Sequence, residues 1–255
     1  MSGPSAFNLA GKRILVTGAN TGIGQGIAVS IARAGGIVVG VGRSAMDDTQ
    51  QKVSEAGGQF KAVRCDLADH AAAKAMLDQV WEQTGPIDGL VNNAGIIRRA
   101  DAVDFSEADW DDVIDVNLKT LFFLSQSFAR HVLAEPRRRG KIVNIASVLS
   151  FQGGIRVASY TASKHGALGV TRLLACEWAA KGINVNAIAP GYIETNNTEA
   201  LRADPDRSAA ILARIPAGRW GGPEDIGDAA VFLLAPASDY MHGAVVPVDG
   251  GWLAR

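Results

Sequence analysis

Tyr160 and Lys164 stand four residues apart in Tyr160-Thr161-Ala162-Ser163-Lys164, a spacing that puts both on one face of a helix. A phenol beside an ammonium is an acid/base pair. The positive charge favours phenolate and is expected to lower the tyrosine pKa from its ordinary value of about 10, so that it can move a proton near neutral pH. Ser147 follows the apolar run 142–146 and is expected at a strand end, where its hydroxyl could hold a substrate oxygen. Alone, the Tyr/Lys pair is common and reads first as an ordinary surface pair. The serine upstream of it turns the reading towards chemistry.

A second constellation is rich in glycine. Thr17-Gly18-Ala19-Asn20-Thr21-Gly22-Ile23-Gly24 lies between a strand-like run and a helix-like one. Glycines let a backbone turn tightly and approach a pyrophosphate, and the helix N-terminus behind them offers free N–H groups and a favourable dipole. Gly18, Asn20, Thr21, Gly22, Ile23 and Gly24 are the residues expected to hold the phosphates. The spacing is G-x-x-x-G-x-G rather than G-x-G-x-x-G, and no Gly-Lys-Ser/Thr follows, which excludes a Walker loop. A turn whose glycines only permit helix packing is the plainer alternative. The next strand runs into Gly42-Arg43-Ser44, without the acidic residue that would bind ribose hydroxyls. Arg43 is placed to meet a 2′-phosphate, which tilts NAD towards NADP, although no second basic residue stands in the glycine loop. Otherwise Arg43 stacks on adenine or faces solvent. Asp66 and Leu67 could receive an adenine edge, or Asp66 could cap the following helix.

These residues need a scaffold, and the hydrophobic pattern supplies one. Strand-like runs at 12–17, 37–41, 60–65, 87–92, 140–146, 183–189 and 244–248 alternate with helical patterns at 23–34, 45–56, 71–83, 110–130, 159–181 and 223–234. Apolar strands alternating with helices predict an α/β fold: a single Rossmann-type domain over 1–255, with a doubly wound parallel sheet of about seven strands and helices on both faces. Residues 191–222 break the pattern with a long, polar, irregular stretch, expected to form a substrate-binding lid or else an ordinary surface excursion. Arg137-Arg138-Arg139 reads as a solvated connector.

Composition closes several classes. Of 255 residues, 47% are hydrophobic and 20% charged, enough for a full core. Lys+Arg number 25 against 26 Asp+Glu, so neither nucleic acid nor an anionic membrane is an expected partner. Two cysteines, Cys65 and Cys176, exclude a disulfide scaffold and fit a reduced cytoplasmic compartment. No apolar run approaches the roughly 20 residues of a membrane span, residues 1–9 carry no signal-peptide pattern, and no cluster has metal-ligand spacing.

The chain resembles the short-chain dehydrogenase/reductase family over essentially its whole length. The resemblance is carried by Thr17 to Gly24, Asn92-Asn93-Ala94-Gly95, Asn117, Ser147, Tyr160, Lys164 and Pro190-Gly191, in that order. It implies that Tyr160 is the general acid/base, that Lys164 lowers its pKa and holds the nicotinamide ribose, that Ser147 orients the carbonyl or alcohol, and that Asn117 holds a water in a proton relay. Unaided, Asn117 reads as a buried hydrogen-bonder that kinks its helix, and Asn92-Asn93 as turn formers. The resemblance further places Asn92, Ala94 and Gly95 along the cofactor and Pro190, Gly191, Ile193 and Thr195 beside the nicotinamide. The implied reaction is reversible hydride transfer between NAD(P) and a secondary alcohol or ketone of an acidic sugar, of the 2-deoxy-D-gluconate or 2-dehydro-3-deoxy-D-gluconate type, in a homotetramer with 222 symmetry.

An acidic sugar needs a cation for its carboxylate. Arg98, Arg156 and Arg202 lie in the segments that build the pocket, with Arg98 the expected carboxylate partner and Gln152 and Tyr192 the hydroxyl partners. The adjacent Arg99 cannot point the same way. The competing activities are a 3-oxoacyl-carrier-protein reductase or a gluconate 5-dehydrogenase on the same scaffold. A nucleotide-sensing protein without chemistry is the rival from outside enzymology.

Overall fold

The computed structural model describes residues 6–255. Strands β1 (Arg13–Thr17), β2 (Ile37–Gly42), β3 (Gln59–Arg64), β4 (Gly89–Asn92), β5 (Gly140–Ile145), β6 (Ile183–Pro190) and β7 (Val245–Val248) form one sheet in the order β3-β2-β1-β4-β5-β6-β7. Every pairing is parallel. The helices are α1 (Gly22–Arg33), α2 (Asp47–Glu55), α3 (His70–Thr84), α4 (Glu107–Ile114), α5 (Thr120–Ala134), α6 (Ala158–Trp178), α7 (Glu199–Ala203), α8 (Pro205–Leu212) and α9 (Pro223–Leu234).

Side chains of a strand alternate between faces, and β1 shows the result. Ile14 and Val16 pack under α1 and α9, whereas Leu15 packs on the other face with α3, α5 and α6. Both faces are covered, so every residue of β4 and β6 is buried, including the hydrogen-bonded Asn92, Asn184 and Asn186. The chain reverses its winding at β1, which pairs with β2 on one side and β4 on the other. In open α/β sheets that switch point opens a crevice at the carboxyl ends of the strands, and the site lies there.

Two segments depart from expectation. The predicted helix 110–130 is two helices, α4 and α5, joined by a π turn (Asp115–Lys119) that contains Asn117. Apolar spacing cannot register one surplus residue, so the sequence read the two as one. The stretch 191–222 is more regular than its composition indicated. It holds α7 and α8, and Asp204 caps α8 by accepting from the N–H groups of Asp206 and Arg207, with Pro205 at the first helical position. Its two ends are tied together, Glu194 N–H to the Gly221 carbonyl and Gly221 N–H to the Tyr192 carbonyl, each at 2.9 Å.

Candidate active site

The glycine loop joins β1 to α1 at the bottom of a cleft of about 600 Å³. Gly18 has φ +66°, a conformation L side chains rarely adopt. A Cβ on Gly24 would overlap the Gly18 carbonyl oxygen, so the turn admits no side chain there. At the start of α1, Thr21 makes no side-chain cap and the first turn holds no acidic residue, leaving its N–H groups and dipole uncompensated. This arrangement fits an anion, and its continuity with Asn20, Arg43, Asp66 and Leu67 along one wall fits a whole dinucleotide. Asp66 lines the cleft and accepts from Ala68 N–H, while the cap of α3 is Asp69, which accepts from Ala72 N–H.

The brace under the glycine loop is Asn93, which the sequence reading passed over for its neighbour. Asn93 Nδ2 donates to the carbonyls of Thr17 (2.9 Å) and Gly18 (3.2 Å), and the N–H groups of Asn93 and Ala94 both donate to the Thr17 hydroxyl. Asn92, expected along the cofactor, turns the other way. It is buried in the core, where Nδ2 donates to Ser125 (3.0 Å) and to Asn144 (2.9 Å). Strand alternation is the reason: Asn92 still belongs to β4, and Asn93 is the first residue free to face the crevice.

On the opposite wall, β5 delivers Ser147 and α6 delivers Tyr160 and Lys164 into the same cleft, beside Pro190, Gly191, Ile193 and Thr195 after β6 and Ala94 and Gly95 after β4. Ser147 caps the short 3₁₀ turn Val148–Ser150, and its oxygen accepts from Leu149 N–H at 3.1 Å. The hydroxyl proton is thereby left to donate into the cleft, towards the Tyr160 phenol. Lys164 is almost fully buried, and its ammonium donates to the Ile145 carbonyl at 2.7 Å. Burial lowers its pKa from 10.5 to about 8.

The expected fall in the tyrosine pKa does not occur. Burial pushes the Tyr160 phenol above its ordinary value, against an opposing pull from the Ser147 hydrogen bond and the Arg99 guanidinium. Desolvation outweighs these contacts, and the Lys164 nitrogen is bonded to a carbonyl rather than to the phenol.

Asn117 is buried at the π turn and its side chain clasps the chain after β4. Oδ1 accepts from Ile96 N–H (2.8 Å), and Nδ2 donates to the Ile96 carbonyl (3.0 Å) and to Ser163 Oγ (3.3 Å). It backs the cleft wall instead of lining it, with Gly95 packed against it.

The expected substrate residues separate. Arg98 is at the rim but is held by two carboxylates of α4, with Nε 3.2 Å from Asp109 and Nη2 3.0 Å from Asp112. Arg99 is exposed and outside the cleft lining, donating to the Asn197 carbonyl at 3.2 Å, with its charge acting on Tyr160. Arg156 pairs with Asp101, and Arg202 donates to the Thr195 carbonyl. Tyr192 sits in an aromatic cluster with Trp220 and Trp252, ring centroids 5.5 and 4.6 Å away. Neither Tyr192 nor Gln152 belongs to the cleft lining. Among the described residues no cluster could hold a metal ion.

The family model described as enoyl-(acyl carrier protein) reductase matches residues 18–253. A 2-dehydro-3-deoxy-D-gluconate 5-dehydrogenase of Dickeya dadantii is 55% identical over 251 residues, 98% of this chain and 99% of that one. The chain belongs to the short-chain dehydrogenase/reductase family. Within that family, the Escherichia coli 2-dehydro-3-deoxy-D-gluconate 5-dehydrogenase is 56% identical, again over 98% of this chain and 99% of its own. An Agrobacterium tumefaciens structure, provisionally named a 2-deoxy-D-gluconate 3-dehydrogenase and solved with NADP bound, superposes with a TM-score of 0.94 at 63% identity, covering both chains fully. A gluconate 5-dehydrogenase from Burkholderia cenocepacia, in complex with NADP and tartrate, superposes with a TM-score of 0.93 at 37% identity, also covering both chains fully. As a short-chain dehydrogenase/reductase, the protein is an NAD(P)-dependent oxidoreductase.

Proposed function

We propose that the chain is a dehydrogenase of an acidic sugar of the 2-dehydro-3-deoxy-D-gluconate or 2-deoxy-D-gluconate type, with NADP(H) as its preferred coenzyme. The observation that carries the reading is the convergence of Ser147, Tyr160 and Lys164 in one cleft with the glycine loop. The full-length identity to 2-dehydro-3-deoxy-D-gluconate 5-dehydrogenases supports the substrate class. Arg43 at the end of β2, with no acidic residue beside it, supports the 2′-phosphate. NAD(P), when bound, supplies or accepts the hydride. Tyr160 gives its phenolic proton to the substrate carbonyl oxygen in reduction and takes one from the alcohol in oxidation, while Ser147 donates a hydrogen bond to the same oxygen. Lys164 holds a positive charge beneath the reacting oxygen, and Asn117 fixes the wall at Ile96.

Arg99 is the carboxylate partner in this reading, in place of Arg98, whose guanidinium is already neutralised by Asp109 and Asp112. Residues 191–222 form a lid: Asn196 and Asn197 stand in the cleft wall, and Arg99 bonds to the lid backbone. Exposed Phe123 and Leu133 on α5 and Leu173 on α6 support a homotetramer. Among the described residues no helix is long and apolar enough to cross a membrane, and two free cysteines accord with a cytoplasmic location.

Parallel spectrophotometric assays of uronate-derived keto acids and 2-deoxy-D-gluconate with NADPH and NADH test the reading. Turnover of an acidic sugar, faster with the phosphorylated coenzyme, is expected. Reduction of 3-oxoacyl thioesters with no turnover of any acidic sugar would overturn it.

A further inference from the structure

A chain of polar contacts runs behind the β3 side of the cleft to the π turn. Leu67 lines the cleft, and its carbonyl accepts the Thr120 hydroxyl at 2.7 Å. A threonine has one hydroxyl proton, and this bond uses it. His70 Nδ1, 2.8 Å from the same Thr120 oxygen, must therefore be the protonated ring nitrogen and donate. The other ring nitrogen, Nε2, lies 3.3 Å from Asp115 Oδ1 without making a hydrogen bond, and Lys119 holds the same oxygen at 3.1 Å.

Asp115 and Thr120 are the two residues that close the π turn, through the bond from Thr120 N–H to the Asp115 carbonyl. The imidazole thus holds one end of the wide turn, Thr120, from outside and lies against the other, Asp115. Inside the turn is Asn117, clasped to Ile96 and bonded to Ser163, which in turn donates to the Tyr160 carbonyl at 2.8 Å. A π turn inside an α-helix is an uncommon geometry, so an external strap on a closing residue bears directly on whether it persists.

We propose that His70 and Thr120 are positioning residues: the His70–Thr120–Leu67 chain, anchored on the residue that closes the π turn, ties that turn to the cleft wall, so that Asn117 and the coenzyme-facing backbone at Leu67 are set together. The proposal rests on the reading of the cleft as a dinucleotide site. The sequence held no sign of it, because Leu67 and His70 stand 53 and 50 residues from Thr120.

Four variants test it. Thr120→Val keeps the shape and removes both hydrogen bonds; Thr120→Ser keeps the hydroxyl. His70→Leu removes the donor; His70→Asn presents an amide N–H close to the Nδ1 position. The readouts are the NADPH dissociation constant, from coenzyme fluorescence without substrate, and the separate kcat and KM for the acidic sugar. A lost buried hydrogen bond corresponds to about tenfold. Thr120→Val and His70→Leu are expected to weaken NADPH binding and lower kcat by about that factor, leaving KM within about twofold, whereas Thr120→Ser and His70→Asn restore both. Folded Thr120→Val or His70→Leu proteins with NADPH affinity and kcat within about twofold of wild type would overturn the proposal. So would a loss that the two conservative variants fail to restore. His70 is partly exposed, so its variants carry the test if Thr120→Val does not fold. The binding arm needs no substrate: a weakened NADPH constant alongside absent sugar turnover would retain the strap and reject the sugar.

Discussion

The Lys164 ammonium lies 5.5 Å from the centroid of the Tyr160 ring and makes its hydrogen bond to the Ile145 carbonyl, not to the phenol. The two groups share a face of α6 and a common burial, and burial acts on them in opposite directions. It lifts the phenol and brings the ammonium to about 8. Both shifts favour the uncharged forms, so each charge used in the reaction is held at the expense of folding.

The stability consequence has a definite sign. Lys164 titrates at about 8 folded and at 10.5 in its ordinary state, so between these values the unfolded chain binds more protons and stability rises with pH. Below about 8 the buried charge is a standing destabilisation of about 3 kcal/mol, offset by about 1 kcal/mol from its bond to Ile145. Lys164→Met should therefore be inactive yet more stable than wild type at pH 7, by about 1–2 kcal/mol, with the advantage gone near the upper limit of that window. Urea unfolding at pH 7 and pH 10 measures this. A methionine variant weaker than wild type at pH 7 contradicts it.

Tyr160→Phe removes the proton donor and little else, since the phenol oxygen is its sole polar atom. Turnover should fall by about 10²–10⁴-fold while NADPH affinity stays within a few-fold. Ser147→Ala should act on kcat in the same sense but less severely. Steady-state rates beside coenzyme titrations separate the two effects, and substantial residual activity in the phenylalanine variant would reject Tyr160 as the donor.

The neighbouring arginines offer a direct contrast. Arg99→Met should lower kcat/KM for an acidic sugar by about tenfold to a hundredfold, the worth of a charged hydrogen bond, and leave an uncharged ketone little affected. Arg98→Met should disturb the rim at Asp109 and Asp112 with a smaller kinetic loss, because these pairs are exposed. Equal losses in the two variants would return Arg98 to the role its sequence position indicated.

Arg43→Ala tests the coenzyme choice. NADPH affinity should drop by about tenfold or more and NADH affinity should hardly change, which calorimetry reads without turnover. A parallel fall for both coenzymes would mean that Arg43 stacks on the base instead.

The sheet was legible because parallel strands buried on both faces are rich in apolar residues; 140–146 and 183–189 mark β5 and β6 to within a residue despite Asn144, Asn184 and Asn186. The meeting of Ser147, Tyr160 and Lys164 in one cleft was legible because helical spacing and a strand end are local facts. What failed was orientation. Asn92 and Asn93 differ by one residue, and which of them faces the crevice depends on where β4 ends; Arg98 does line the cleft, but its pairing with Asp109 and Asp112 depends on another element. The direction of the Tyr160 shift was equally out of reach, since desolvation depends on everything that closes over the phenol. The helices of 191–222 were closer at hand: Asp204-Pro205 is a cap-and-start signal that a polar composition concealed.

The π turn has a bearing on which mutations this fold can absorb. An α-helix advances about 100° per residue, and the wide turn takes up its surplus residue locally, so α5 keeps the phase that buries Leu124 and Phe128. Deleting one amino acid between 115 and 119 would let the segment close as regular helix with that phase kept, but would remove the wide turn that holds Asn117 against Ile96. The surplus residue is thus dispensable to the hydrophobic interior and tied to the cleft wall.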